Sequence, residues 1–96
     1  MIQLSESEIA IINKILAYHL GNMDYRIFGS RAKGTAKQYS DLDVVLLSTE
    51  PVPLLTLSSL EESFAESYLP FKVDVVDWQR MTEEFQEKIK KEWKKI

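Results

Sequence analysis

The sequence predicts an α/β domain of two layers, with helices packed on one small sheet, and three observations carry that prediction. Runs with apolar residues at helical spacing alternate with short β-prone runs. Gly and Pro stand at their junctions. The 96 residues, 45 % of them apolar, suffice for one compact core, and no repeat, low-complexity tract or linker divides it. A single domain over 1–96 follows, in the order α, β, short α, β, α, β, α.

Ser5 and Glu8 form a Ser-x-x-Glu capping box, and Ile9, Ile12, Leu16 and Leu20 recur at helical spacing until Gly21, which predicts a helix over 6–20. Tyr25 to Phe28 is short and β-prone and ends at Gly29. Ser30 to Ala36 has room for two helical turns, which Gly34 weakens. Asp41 to Leu47 reads as a second strand, because Leu42, Val44 and Leu46 alternate with Asp43, Val45 and Leu47, so both faces are covered in its second half. Pro51 and Pro53 break the chain. Leu57, Leu60 and Phe64 then form the stripe of a helix that Pro70 closes, and Phe71 to Val76 makes the third strand. Thr82 caps a last helix with Glu83 and Glu84 in its first turn and Lys90, Lys91, Lys94 and Lys95 in its final turns, the polarity that complements the macrodipole. Phe85, Ile89 and Trp93 give it a buried face. Leu54, Leu55 and Leu57 exceed what one helix face needs and suggest a protein interface there.

Composition excludes several classes. A net charge of −3 leaves no basic footprint, so direct DNA binding is not expected. The absence of cysteine removes disulfides, thiolate zinc sites and cysteine nucleophiles. The single His19 excludes a multi-histidine metal site, and its place near a helix C-terminus suits the dipole. No apolar run reaches membrane-spanning length and no basic-then-apolar segment opens the chain, so no membrane role and a cytoplasmic location are expected.

The chemistry concentrates in FGSRAKGTAKQYSDLDVVLL, Phe28 to Leu47. Asp41 and Asp43 lie two apart on a strand and project from one face. Two unit charges about 4 Å apart, at an effective dielectric near 20, repel by roughly 4 kcal/mol. Either one carboxylate titrates upward, as in an acid–base dyad, or a divalent cation occupies the gap; the splay of the pair favours magnesium. In FKVDVVDW, Phe71, Val73 and Val75 face the core and Asp74 the other side, where it meets Asp41 and Asp43 if the two strands are neighbours. Asp77 falls on the opposite face in strict alternation, or lies past the strand end, and ranks well below Asp74. Three converging carboxylates suit a two-metal phosphoryl-transfer site. Gly29 lets the backbone approach a ligand closely, Ser30 adds a donor, and Arg31 and Lys33 are placed to draw a triphosphate.

Gly-Ser, ten residues, then Asp-Leu-Asp, with a later Val-Asp-Val-Val strand, resembles the signature of the nucleotidyltransferase superfamily that includes DNA polymerase beta and kanamycin nucleotidyltransferase. More closely, the run GSRAKGTAKQYSDLDVVLL and the chain length resemble the minimal nucleotidyltransferases, the MntA-like antitoxins paired with HEPN-domain toxins. The resemblance implies a nucleotidyltransferase fold with a small mixed three-stranded sheet. It implies that Gly29 and Ser30, with Arg31 beside them, contact the nucleotide phosphates, and that Asp41, Asp43 and Asp74 are the catalytic and metal-holding carboxylates. ATP with two magnesium ions, and transfer of AMP to a tyrosine of a HEPN partner in a hetero-oligomer, are implied with it. The extra helical domain that holds the acceptor in larger transferases is missing, which leaves open a non-catalytic antitoxin that neutralises by binding, or a transferase acting on a small molecule such as an aminoglycoside.

Overall fold

A computed structural model describes residues 2–96. The elements are α1 (Glu6–Leu20), β1 (Tyr25–Phe28), α2 (Ser30–Lys33), β2 (Leu42–Leu46), α3 (Leu54–Ala65), β3 (Val73–Asp77) and α4 (Glu83–Lys90), with a 3₁₀ turn at Trp78–Arg80. α1 begins where the capping box sets it. The Ser5 hydroxyl accepts the Glu8 N–H at 3.1 Å and Glu8 Oε1 accepts the Ser5 N–H at 2.8 Å, a pairing that stabilises a helix start by about 1 kcal/mol.

The sheet is mixed, in the order β1-β2-β3. β1 pairs antiparallel with β2, Phe28 opposite Asp43, and β2 pairs parallel with β3, Asp43 opposite Asp74. A parallel pair needs a crossover, and α3 supplies it. On one face Ile27, Val44, Leu46 and Val75 are buried under Ile12 and Leu16 of α1 and Leu60 and Phe64 of α3. The same two helices are tied by His19 Nε2 and Ser63 Oγ at 2.8 Å. On the other face Phe28 and Val45 meet Ile89 of α4, with Trp78 and Trp93 packed around them and ring centroids 5.5 Å apart. The two indoles therefore serve the core, and α4 covers only part of this face.

Several boundaries differ from the sequence-based expectation. β2 is shorter by a residue at each end, leaving Asp41 just before it, and β3 starts two residues later than Phe71, which folds into the core instead. The largest difference is at α4, which stops at Lys90 although the four-residue apolar spacing continues to Trp93. The chain turns there, and Lys94 bridges to β1: the Ile27 N–H donates to Lys94 O at 2.9 Å and the Lys94 N–H to Ile27 O at 2.8 Å. The outer edge of β1 would otherwise leave buried Ile27 with unpaired backbone groups, and this pairing outweighs two further helical turns. Lys94 and Lys95 are thus outside the helix whose final turns they were expected to form.

Asp77, at the end of β3, has its side chain wholly buried on the face opposite Asp74. It accepts from the Ser48 hydroxyl, from the Val52 N–H at 2.6 Å and from the Gln79 N–H at 3.2 Å, and lies 3.4 Å from Arg80 Nε. These contacts fasten the loop after β2 to the end of β3. Among the described residues no helix is long and apolar enough to cross a membrane.

Candidate active site

Sheet register builds the site. Side chains two apart on a strand share a face, so Phe28, Asp43 and Asp74 form one row across the three strands on the face that α4 leaves partly open. Asp41 lies just ahead of β2 and is exposed. Burial pushes the Asp43 carboxyl up to about 6, and the charges of Asp74, Asp41 and Glu92 push it the same way. Asp74, with its side chain 40 % exposed, has Lys72 Nζ at 3.3 Å, and hydrogen bonding and charge attraction from Asp74 raise the pKa of that lysine.

Gly29 is required twice over. Its φ of 76° and ψ of −159° lie in a region that only glycine occupies readily, and a Cβ there would run into Asp43 Oδ2, with Cγ at 3.3 Å. The turn is closed by the Gly29 carbonyl, which accepts from the N–H groups of Ala32 and Lys33 at 3.1 Å each, and Ser30 opens α2 beside it. The Gly29 N–H donates to Glu92 Oε1 at 3.1 Å, and Glu92 Oε2 lies 3.4 Å from Lys33 Nζ.

Arg31 is placed elsewhere. It is buried, and its guanidinium donates to the carbonyls of Ser40 at 2.9 Å, Gln3 at 2.9 Å and Gln38 at 3.1 Å while lying 4.0 Å over the Phe71 ring. A fork geometry matched to three carbonyls holds the loop before Asp41 in place, and this role replaces the expected draw on a triphosphate. Glu92 carries no sequence signal of its own, whereas Lys72 stands two residues before Asp74 and so at the spacing that puts both on one face. Glu92 reaches the site only because the chain after α4 turns back onto β1.

The donor set suits magnesium in kind: hard carboxylate oxygens, with an excess of negative charge that already raises one of them. As they stand, no three His, Cys, Asp or Glu side chains among the described residues gather closely enough about one point to hold an ion. The Asp74 carboxylate is instead turned toward Lys72. Along the outer edge of β3 runs an apolar groove of about 500 Å³ lined by Leu57, Val75, Val76, Met81 and Phe85. Leu54 and Leu55, on the same helix as Leu57, are 66 % and 82 % exposed.

A mixed three-stranded sheet with a strand–glycine–helix turn set against aspartates on the two following strands defines the class. Residues 9–96 match the family model described as nucleotidyltransferase domain. A relative in Haemophilus influenzae, named "Probable protein adenylyltransferase MntA", is 42 % identical over 90 residues, covering 94 % of this chain and 79 % of that protein. A crystal structure of a toxin–antitoxin with AMP-PNP has the same fold, with a TM-score of 0.77 and 24 % identity over 90 % of this chain and 69 % of that one. A mutant form of the toxin–antitoxin MntA–HpeT matches with a TM-score of 0.75 and 26 % identity, over 98 % of this chain and 72 % of that one. The chain belongs to the nucleotidyltransferase domain family.

Proposed function

We propose that the protein is a magnesium-dependent adenylyltransferase that moves AMP from ATP to a tyrosine hydroxyl of a partner HEPN toxin and so acts as its antitoxin. One observation carries the reading: Asp43 and Asp74 stand opposite each other in parallel register, with Gly29 against Asp43. The name of the Haemophilus relative supports the reaction, and the MntA–HpeT toxin–antitoxin structure supports a toxin as partner. A cytoplasmic location fits a reaction that consumes ATP.

In this reading the Gly29 turn and Ser30 receive the phosphates, and Asp41, Asp43 and Asp74 hold two magnesium ions. The bound metal would neutralise triphosphate charge and favour attack at the α-phosphorus. The step forms a bond from the acceptor oxygen to that phosphorus, breaks the α–β anhydride, releases pyrophosphate and passes the hydroxyl proton to solvent. The chain's own part is positioning: glycine admits the nucleotide backbone-close, and the sheet register sets Asp43 beside Asp74. Incubation with ATP, magnesium and the partner should add one or more AMP masses to the partner, and changing Asp41 and Asp43 to Asn should abolish the addition. An unmodified partner under conditions where nucleotide binds would overturn the reading.

The exposed leucines at the start of α3 favour a second reading, neutralisation by complex formation alone. If the Asp41→Asn, Asp43→Asn variant still protects cells from the toxin, binding suffices. Loss of protection with the complex intact leaves only the catalytic account.

A further inference from the structure

The turn assigned above to the nucleotide phosphates already carries an anion belonging to the protein. Glu92, in the segment after α4, places one carboxylate oxygen 3.1 Å from the Gly29 nitrogen and the other 3.4 Å from Lys33 Nζ. Its side chain is 20 % exposed, whereas that of Lys33 is half exposed, so the carboxylate is tucked inward and the ammonium faces solvent. A backbone N–H and an ammonium converging on one anionic group is the donor set a phosphate oxygen would seek. The contact is made next to Asp43, where further negative charge is unfavourable in the absence of cations.

The backbone on either side explains how such a carboxylate is held without being locked. Two residues later Lys94 is fixed to Ile27 by two hydrogen bonds, at 2.9 and 2.8 Å, and just before it the Glu92 N–H donates to Ile89 O at 3.1 Å. The main chain is therefore anchored on both sides, and release of Glu92 requires only rotation of its own side chain toward solvent.

We propose that Glu92 is an internal stand-in for phosphate: its carboxylate occupies the Gly29 N–H and the Lys33 ammonium until a nucleoside triphosphate displaces it. The proposal rests on the reading of this turn as the nucleotide site. Glu92 is a positioning residue that sets a threshold for nucleotide entry. The free lysine then passes to the polyphosphate, so affinity is reduced by the strength of the contact being replaced.

Calorimetric titration of the full chain with AMP-PNP and magnesium tests this. Glu92→Gln keeps an acceptor for Gly29 without the charge, and Glu92→Ala removes both contacts. Each should bind about tenfold more tightly than the unaltered chain, the loss of one charge-assisted contact to be displaced. Damage to the fold would weaken binding, so the direction itself separates the two causes. In a Lys33→Met background the gain from Glu92→Gln should shrink to about twofold or less, because the released lysine is absent. Unchanged or weaker binding in both Glu92 variants, while the unaltered chain binds nucleotide, overturns the proposal and leaves the site reading standing. A failure of the unaltered chain and every variant to bind overturns the site reading itself.

Discussion

Asp43 is the residue on which the site turns, and its protonation gives the first prediction. An acid raised from its ordinary 3.8 to about 6 holds a proton in the folded chain that the unfolded chain has already lost. Its contribution to stability is therefore full below about pH 4 and lost as the pH rises through 6. Without divalent metal, Asp43→Asn should melt at a higher temperature than the unaltered chain at pH 7.5, with the gap closing toward pH 4. Magnesium should raise the melting temperature of the unaltered chain and leave that of the variant nearly unmoved. Gly29→Ala should cost about 1–3 kcal/mol in urea melts, from its φ alone, and eliminate nucleotide uptake because its Cβ meets Asp43. Asp77→Ala should cost about 3 kcal/mol by the same measurement, since it strands the Ser48 hydroxyl and the Val52 N–H in the interior, while its effect on nucleotide affinity stays small. At this scale the sequence reads unevenly. The alternation in LDVV and VDVV carries the directions of Asp43 and Asp74, but the carbonyls of Gln3, Gln38 and Ser40 that claim Arg31 come from loop conformation, which no local pattern records.

At the scale of elements, what could be read follows what is local. The capping box, the Gly21 stop and the proline breaks act within a few residues, and α1 and β1 have the bounds the sequence predicts. The end of α4 does not, because it is decided by the open edge of β1 some sixty residues away in the chain. Lys94→Pro tests that account. It removes the N–H that donates to Ile27 and should destabilise the protein by about 1–2 kcal/mol in urea melts. The Ile27 amide, protected in the unaltered chain, should exchange faster, and Lys94→Ala, which keeps the backbone donor, should leave that exchange unchanged. Equal exchange in both variants would show the bridge to be incidental.

The molecule as a whole is asymmetric. One face of its sheet is closed by α1 and α3, the other is half covered by α4, and the carboxylates stand in the uncovered half. The described residues have a radius of gyration of 12.6 Å. The leucines at the start of α3 and the groove beside β3 leave apolar surface open to solvent. Leu54→Ser with Leu55→Ser should weaken capture of the partner at least tenfold in a binding titration while nucleotide affinity stays within twofold. Loss of both together would mean that the leucines support the fold instead. The excess of leucine was visible in the sequence, but the groove was not, because it forms only when α3, β3 and α4 come together.

The parallel pairing of β2 with β3 has a consequence for how the chain avoids error. Sliding one strand past the other by a single residue would send Asp74 into the helix-covered interior and turn Val73 and Val75 out to water. Misalignment would thus ruin solubility and chemistry at one stroke. The spacing that serves the reaction also proofreads the assembly.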